Sequence, residues 1–330
     1  MSKEILRVSH LTTRLKIGNH AHKVVDGLSF NLYSGKTLAI VGESGCGKSL
    51  TALSLMRILP NPPALPPEGE VLFQGRNLLE LPEREMRDIR GRHLSMIFQD
   101  ASSALNPVYP IGAQLAEMAD LHLNLQGDEA EAKCIQALTD VGIPRAKERL
   151  KDFPHQLSGG MRQRVMIAMA LMCEPEVLIA DEPTTALDVT VQAQVLDLLR
   201  HLQKERGMAL LLITHDLGVV AEIADEVVVM YASWNVEHGT VREIFHQPAH
   251  PYTQGLFASR PILESPKGAL KPIKGSVPPL GNYPKGCHFH PRCPYVMPIC
   301  LEGDVPEFSC KQPDHKAKCW LYAEGVKQPV

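Results

Sequence analysis

Apolar positions alternate or run on through the first part of the chain, in "ILRVSHLTTRL" and "LSFNLYSGKTLAIVG", which reads as strands. The second run enters the glycine-rich stretch "GESGCGKS" at residues 42–49. "SLTALSLMRIL" follows with helical spacing at Leu50, Leu53, Met56 and Leu59, giving strand, glycine loop, helix. "NPPALPPEG" breaks the pattern and "GEVLFQGRNL" predicts a further strand pair. Residues about 101–155 change period: Ala130, Cys134, Ile135, Leu138 and Val141 share one helical face, and Asp128 with Glu131 has the spacing of a capping box. This predicts a helical subdomain inserted into the sheet. "LSGGMRQRVMIAMAL" reads as loop into helix, "EVLIADEPT" as a buried strand, "TVQAQVLDLLRHLQKE" as a helix and "MALLLITHD" as a strand. Strands alternating with helices predict an α/β fold with a mostly parallel sheet.

Composition adds little. The 330 residues are 44% hydrophobic and 22% charged, ordinary values for a globular chain. With 34 basic and 37 acidic residues the net charge is −3, so no overall field points to nucleic acid. The basic residues of "EREMRDIRGRH" are interleaved with acids and read as a solvated helix face. No apolar stretch reaches membrane-spanning length, and "MSKEILRVSH" has no signal-type apolar core, so a cytosolic protein is expected. Six prolines between 261 and 284 mark a linker. Five of the eight cysteines, Cys287, Cys293, Cys300, Cys310 and Cys319, crowd into the C-terminal end, and a reducing compartment favours metal binding over disulfides. Cys134 and Cys173 read as small buried hydrophobes.

Gly42, Gly47, Lys48 and Ser49 satisfy G-x-x-x-x-G-K-[ST]. Consecutive backbone N–H groups at a helix N-terminus curl round phosphate oxygens, Lys48 reaches the β- and γ-phosphates, and the Ser49 hydroxyl ligates Mg²⁺. "VLIADE" ends a buried strand in two acids: Asp181 suits Mg²⁺ held through water, and Glu182 suits orientation of an attacking water. A serine and two glycines opening a helix, Ser158, Gly159 and Gly160, form a second anion site.

"LSGGM" between a phosphate loop and "ADEP", with "ALD" at 186–188 and His215 in "LLITHD", resembles the ATP-binding subunits of ABC transporters over residues 5–260. That resemblance implies a P-loop ABC ATPase with a RecA-like core, an antiparallel β subdomain and the helical insertion. It implies a nucleotide site of Gly42, Glu43, Ser44, Gly45, Cys46, Gly47, Lys48, Ser49, Leu50, Gln99, Asp181 and Asp188. Gln99 in "MIFQD" matches the family's Q-loop, which contacts Mg²⁺ and the water, and His215 matches its switch histidine. Ser158, Gly159 and Gly160 would reach the γ-phosphate bound by an opposite subunit, so hydrolysis requires a dimer.

"MIFQDASSALNP", "HPYTQGL" and "GCHFHPRCPY" resemble, within that family, the oligopeptide, dipeptide and nickel importer ATPases, nearest to the D-type dipeptide or oligopeptide subunit. The resemblance implies peripheral attachment at the cytoplasmic face of the cell membrane. The expected partners are a second ABC ATPase, identical or paralogous, two permease subunits and, indirectly, an extracytoplasmic binding protein. The solute stays open among peptides, nickel, glutathione and opines. Soluble ABC ATPases of DNA repair or translation are the alternative class, but they usually carry two ATPase units or a coiled coil, and neither is seen here.

The chain also departs from the family pattern. "LTTRLKIGNHAHK" lacks an aromatic to stack on adenine, leaving Leu15 or His22, and "MYASWN" replaces a glycine-centred hairpin, with Asn235 the residue there that tolerates a left-handed backbone. Cys287, Cys293, Cys300 and Cys319, spaced x5, x6 and x18, match the pattern that relatives of the dipeptide type associate with a [4Fe–4S] cluster. The spacing lacks the paired knuckles of structural zinc, which ranks behind it, and Cys310 falls outside the pattern. The division expected is an ATPase domain over 1–260 and a linker with a cysteine-rich region over 261–330.

Overall fold

The computed structural model describes residues 3–185, 187–259, 272–310 and 312–326. The expected boundary at 260/261, the first part of the proline-rich stretch and Ala186 of "ALD" lie outside them.

The elements follow the sequence pattern closely. Two long strands, β1 (Glu4–Ile17) and β2 (His20–Tyr33), bury alternate residues, whereas β3 (Thr37–Val41) is buried throughout and leads into the glycine loop and α1 (Lys48–Leu55). Next come β4 (Glu68–Phe73), β5 (Arg76–Asn77), α2 (Glu83–Ile89) and β6 (Leu94–Ile97). The insertion contains α3 (Ala101–Ala104), α4 (Ile111–Leu123), α5 (Gly127–Asp140) and α6 (Ala146–Arg149), followed by α7 (Gly159–Leu171). Strands and helices then alternate as β7 (Val177–Asp181), α8 (Val189–Arg206), β8 (Ala209–Thr214), α9 (Leu217–Ile223), β9 (Glu226–Tyr231) and β10 (Trp234–Thr240). Helices α10 (Val241–His246) and α11 (Pro251–Ala258) and two short C-terminal strands, β11 (Phe308–Ser309) and β12 (Lys316–Ala317), complete the order. Among the described residues no helix is long and apolar enough to cross a membrane.

The chain divides into two compact units. One holds residues 1–7, 31–37 and 72–213. Its parallel strands β6, β7 and β8 are fully buried, as expected of strands covered on both faces. The helical insertion lies in this unit. Gln114, buried on α4, accepts the Asn106 N–H and donates to the Asn106 and Tyr109 carbonyls, which fixes the turn leading into that helix. The capping box expected at Asp128 and Glu131 is not formed. Helix α5 starts two residues earlier, at Gly127, with Gln126 at its N-cap and no side-chain cap. Asp128 and Glu129 instead sit in the first turn, where their charges suit the positive end of the helix dipole.

The second unit holds residues 8–30, 38–71 and 214–330. Here β3 pairs parallel with β9, β9 antiparallel with β10, β10 with β12, and β12 with β11. The C-terminal region therefore continues the sheet that carries the glycine loop. Buried Glu237 on β10 secures the junction. Its carboxylate accepts the N–H groups of Ala249 and His250, each at 2.8 Å, and lies 2.8 Å from His315 Nε2. A buried carboxylate is tolerated only with such partners.

The β9–β10 connection differs from the sequence expectation. Tyr231 pairs with Trp234, so the loop has two residues, and Ala232 (φ 43°) and Ser233 (φ 73°) carry the left-handed backbone instead of Asn235. Two positive φ values in a two-residue loop match the twist of the flanking strands. The surroundings impose this conformation: the Ser233 N–H donates to Cys46 O, and Ser233 O accepts from Asp26 N. Ser233 Oγ is buried with no hydrogen-bond partner among the described residues. Replacing Ser233 with Gly removes both the left-handed strain and the unpaired hydroxyl. It should raise the thermal unfolding midpoint of the full chain, consistent with a gain of about 1 kcal/mol. A lower midpoint would contradict this account of the turn.

Candidate nucleotide site

In the second unit the glycine loop is fixed from outside. A Cβ on Gly42 would stand 2.2 Å from Met230 O, and one on Gly47, whose φ is 110°, 2.2 Å from Val24 O. Only glycine lets the loop lie against those carbonyls. Lys48, 5% exposed, donates from Nζ to Gly42 O at 2.8 Å and Glu43 O at 3.2 Å, which keeps a buried ammonium on the loop. Cys46 is fully buried behind it, and burial pushes its thiol pKa up, so it is a packing residue and not a reactive one. Ser44 and Gly45 form the exposed tip, while Ser49 and Leu50 on α1 are half-buried.

His215 follows β8 in the same unit. Thr214 Oγ1 accepts the Asp216 N–H, and Asp216 caps α9 by accepting from Gly218 and Val219, so the residues on either side of His215 are fixed. His215 lines an open cavity of about 370 Å³ together with Gly42 and Glu43. His22 lies instead against Gly281, where a Cβ would be 3.0 Å from its ring, and Leu15 bridges to Ala64.

In the first unit β7 ends at Asp181, 4% exposed. Glu182 follows with φ 46°, an unusual backbone for a glutamate and a mark of functional sites. Its N–H donates to Ile213 O at 2.8 Å. Its Oε2 accepts from Gln99 Nε2 at 3.1 Å and from Thr185 Oγ1 at 2.8 Å. Two residues marked separately in the sequence, Gln99 and Glu182, are thus in direct contact. Ser158 caps α7 by accepting the Met161 N–H at 3.3 Å, which leaves Ser158 and Gly159 exposed at the helix N-terminus. Asp188 caps α8 in the same way through Val191 N at 2.9 Å.

One supporting residue was missed in the sequence. Gln163, buried on α7, donates from Nε2 to Pro183 O at 2.6 Å, tying the "LSGG" helix to the residue after Glu182. Its only signal is a polar residue one turn before Met166 and Ile167 in a helix that is buried on most sides.

At the C-terminal end Cys287, Cys293, Cys300 and Cys319 line one cavity of about 10 Å³, with Phe289, Met297 and Leu321 among its apolar walls. Burial pushes the thiol of Cys287 to about 11 and that of Cys319 to about 12, and neighbouring thiols push the same way. Sγ of Cys293 accepts the Tyr295 N–H at 3.4 Å. Cys310 does not line this cavity but packs beside it, against the cluster of Ala249, Ala317, Cys319 and Leu321. Among the described residues no three or more His, Cys, Asp or Glu side chains converge closely enough to hold a metal ion.

A buried parallel-strand core, a phosphate loop with its lysine, and an acid pair at a strand end define a P-loop nucleotide-hydrolysing protein. The chain belongs to the ABC transporter ATP-binding family: the model described as "ABC transporter" matches residues 25–185, and that described as "Oligopeptide/dipeptide transporter, C-terminal region" matches residues 236–300. It is 47% identical to the dipeptide transport ATP-binding protein DppD of Bacillus subtilis (strain 168), over 99% of this chain and 98% of that one. It is 48% identical to the oligopeptide transport ATP-binding protein OppD of Escherichia coli (strain K12), over 90% and 87%. Among solved structures, cbiO1 from Clostridium perfringens, part of the cbiONQ ABC transporter complex, superposes with a TM-score of 0.62 at 29% identity, over 74% of this chain and 91% of that one. The ATP-binding cassette MJ0796, in a dimeric post-hydrolysis state with ADP and Pi, gives a TM-score of 0.64 at 24% identity, over 72% and 99%, and supports the fold.

Proposed function

We propose that this chain is the ATP-hydrolysing motor subunit of an importer for di- or oligopeptides, working at the cytoplasmic face of the membrane. The observation that carries the reading is near-full-length identity to a dipeptide transport ATP-binding protein. The partners of this reading are a second ABC ATPase, identical or paralogous, and two permease subunits fed by an extracytoplasmic binding protein. No nucleic acid enters it.

The residues present suit a hard cation: the hydroxyl of Ser49, the carboxylate of Asp181 and the amide oxygen of Gln99 are oxygen donors of the type Mg²⁺ takes. The ion would neutralise phosphate charge. In this reading the loop N–H groups from Gly42 to Ser49 and the Lys48 ammonium bind the phosphates, with Leu50 continuing the helix whose N-terminus faces them. Glu182 orients the attacking water, its carboxylate held ready by Gln99 and Thr185, and His215 steadies the γ-phosphate. Ser158, Gly159, Gly160 and Asp188 serve the nucleotide bound by the second ATPase, so closing the dimer completes each site.

Glu182→Gln leaves the phosphate cradle intact. It should bind ATP as the wild type does while turning over about a hundredfold slower or worse in the assembled transporter. Wild-type-like ATPase activity in that variant would remove Glu182 from its role.

Cys287, Cys293, Cys300 and Cys319 share one C-terminal cavity without converging as a metal-holding group, so a [4Fe–4S] cluster, as part of the same proposal, requires loading to draw them together. Soft thiolate donors within apolar walls, one of them accepting a backbone N–H, suit iron–sulfur ligation, and a cluster takes one thiolate per iron at its corners. Such a group would act as a structural staple for the segment around the cavity, adding to its packing against the core of Tyr231, Tyr252 and Phe289. Because burial raises the Cys287 and Cys319 thiols so that they hold their protons in the metal-free chain, loading would release them. Anaerobically purified protein should be brown, absorb broadly at about 400 nm and carry about four irons per chain. Cys293→Ser should abolish the colour and Cys310→Ser should keep it. Colourless protein with stoichiometric zinc would replace the cluster by zinc, and metal-free folded protein would end both readings.

A further inference from the structure

The segment Cys287–Cys293 reaches the phosphate loop at two points. Arg292, with only 5% of its side chain exposed, forms a two-pronged ion pair with Glu43 of the loop: Nη1 to Oε2 at 2.7 Å and Nη2 to Oε1 at 3.1 Å. The rest of the guanidinium is also engaged. Nε donates to Lys274 O at 2.9 Å, Nη1 to the Tyr231 hydroxyl at 3.4 Å, and the group lies 5.6 Å from the Tyr231 ring centroid. The Glu43 backbone is held as well, its N–H donating to Tyr252 Oη at 2.8 Å. The second point runs through His288, whose Nδ1 lies 2.7 Å from Ala232 O and whose ring stacks on Trp234 at 3.8 Å. Ala232 begins the strained two-residue turn whose next member, Ser233, donates to Cys46 O. One seven-residue segment thus holds the loop at Glu43 directly and at Cys46 through the turn.

We propose that this segment sets the phosphate-binding geometry of the loop, with Arg292 as a positioning residue acting through Glu43. The inference rests on the reading that residues 42–49 hold nucleotide phosphates. Glu43 lines a cavity with Gly42 and His215 and is itself part of the loop, so its charge stands close to any polyphosphate the loop holds. Unpaired, it repels that anion and is free to swing. Paired in a planar fork it is neutralised and fixed in one direction. Lysine offers a single point charge and cannot reproduce the fork. Arg292 itself has no role on the phosphate, because its donors are spent on Glu43, Tyr231 and two carbonyls.

The test is a fluorescent-ATP titration (mant-ATP) of the full chain. Arg292→Ala should weaken binding about tenfold. Arg292→Lys should lie close to it, and this variant carries the test should Arg292→Ala fail to fold. Replacing Glu43 by Gln in the Arg292→Ala background removes the uncompensated charge and should recover part of the loss, a result that general destabilisation would not produce. Wild-type affinity in Arg292→Ala, or a double variant whose loss is the product of the two single losses, overturns the proposal. Failure of the wild type to bind mant-ATP would remove the nucleotide reading itself, and this inference with it.

Discussion

The phosphate loop is a stretch of backbone with almost no side-chain bulk, and its shape is held by what presses on it. The carbonyls of Met230 and Val24 stand where Cβ atoms of residues 42 and 47 would be. Lys48 bridges the carbonyls of Gly42 and Glu43 from inside. Ser233 and Tyr252 close on it from the β9–β10 turn and from α11. A site that must point several N–H groups at one anion works only if those groups are already oriented before the ligand arrives, since ordering them afterwards costs binding energy.

The same economy governs the acid end of β7. Glu182 keeps a left-handed backbone while its N–H, its carboxylate and its neighbour Pro183 are each tied to a different element: Ile213, Gln99 with Thr185, and Gln163. Strain of this kind persists only where the surroundings over-determine it. A shift of α7 therefore reaches Glu182 through Gln163 and Pro183, which gives the helix that opens with "LSGG" a physical route to that carboxylate.

Much of this was legible in the sequence because the chemistry is local. A phosphate loop, a buried strand ending in Asp181 and Glu182, and a serine–glycine helix start are each a few consecutive residues, and fully buried strands announce themselves as apolar runs. Contacts that join distant parts of the chain had no such signature. Arg292 meets Glu43 across 249 positions, and nothing in "HPRCP" points to it. Nor does the sequence show that β12 pairs with β10. Two local readings failed because neighbours outweighed local preference. Asn235 tolerates a left-handed backbone better than Ala232 or Ser233, but bonds from Ser233 to Cys46 and Asp26 fix the bend two to three residues earlier. The capping-box spacing at Asp128 went unused because α5 begins at Gly127.

The central claim is that the loop at residues 42–49 recognises a chain of phosphates through pre-oriented backbone donors and one buried ammonium. Calorimetric titration of the full chain with ATP, ADP and AMP in the presence of Mg²⁺ tests it most directly. Binding should be strong for ATP and ADP and fall by at least about a hundredfold for AMP, which lacks the phosphates that Lys48 and the loop amides contact. Equal affinity for ATP and AMP, or no binding of ATP at all, would contradict the account.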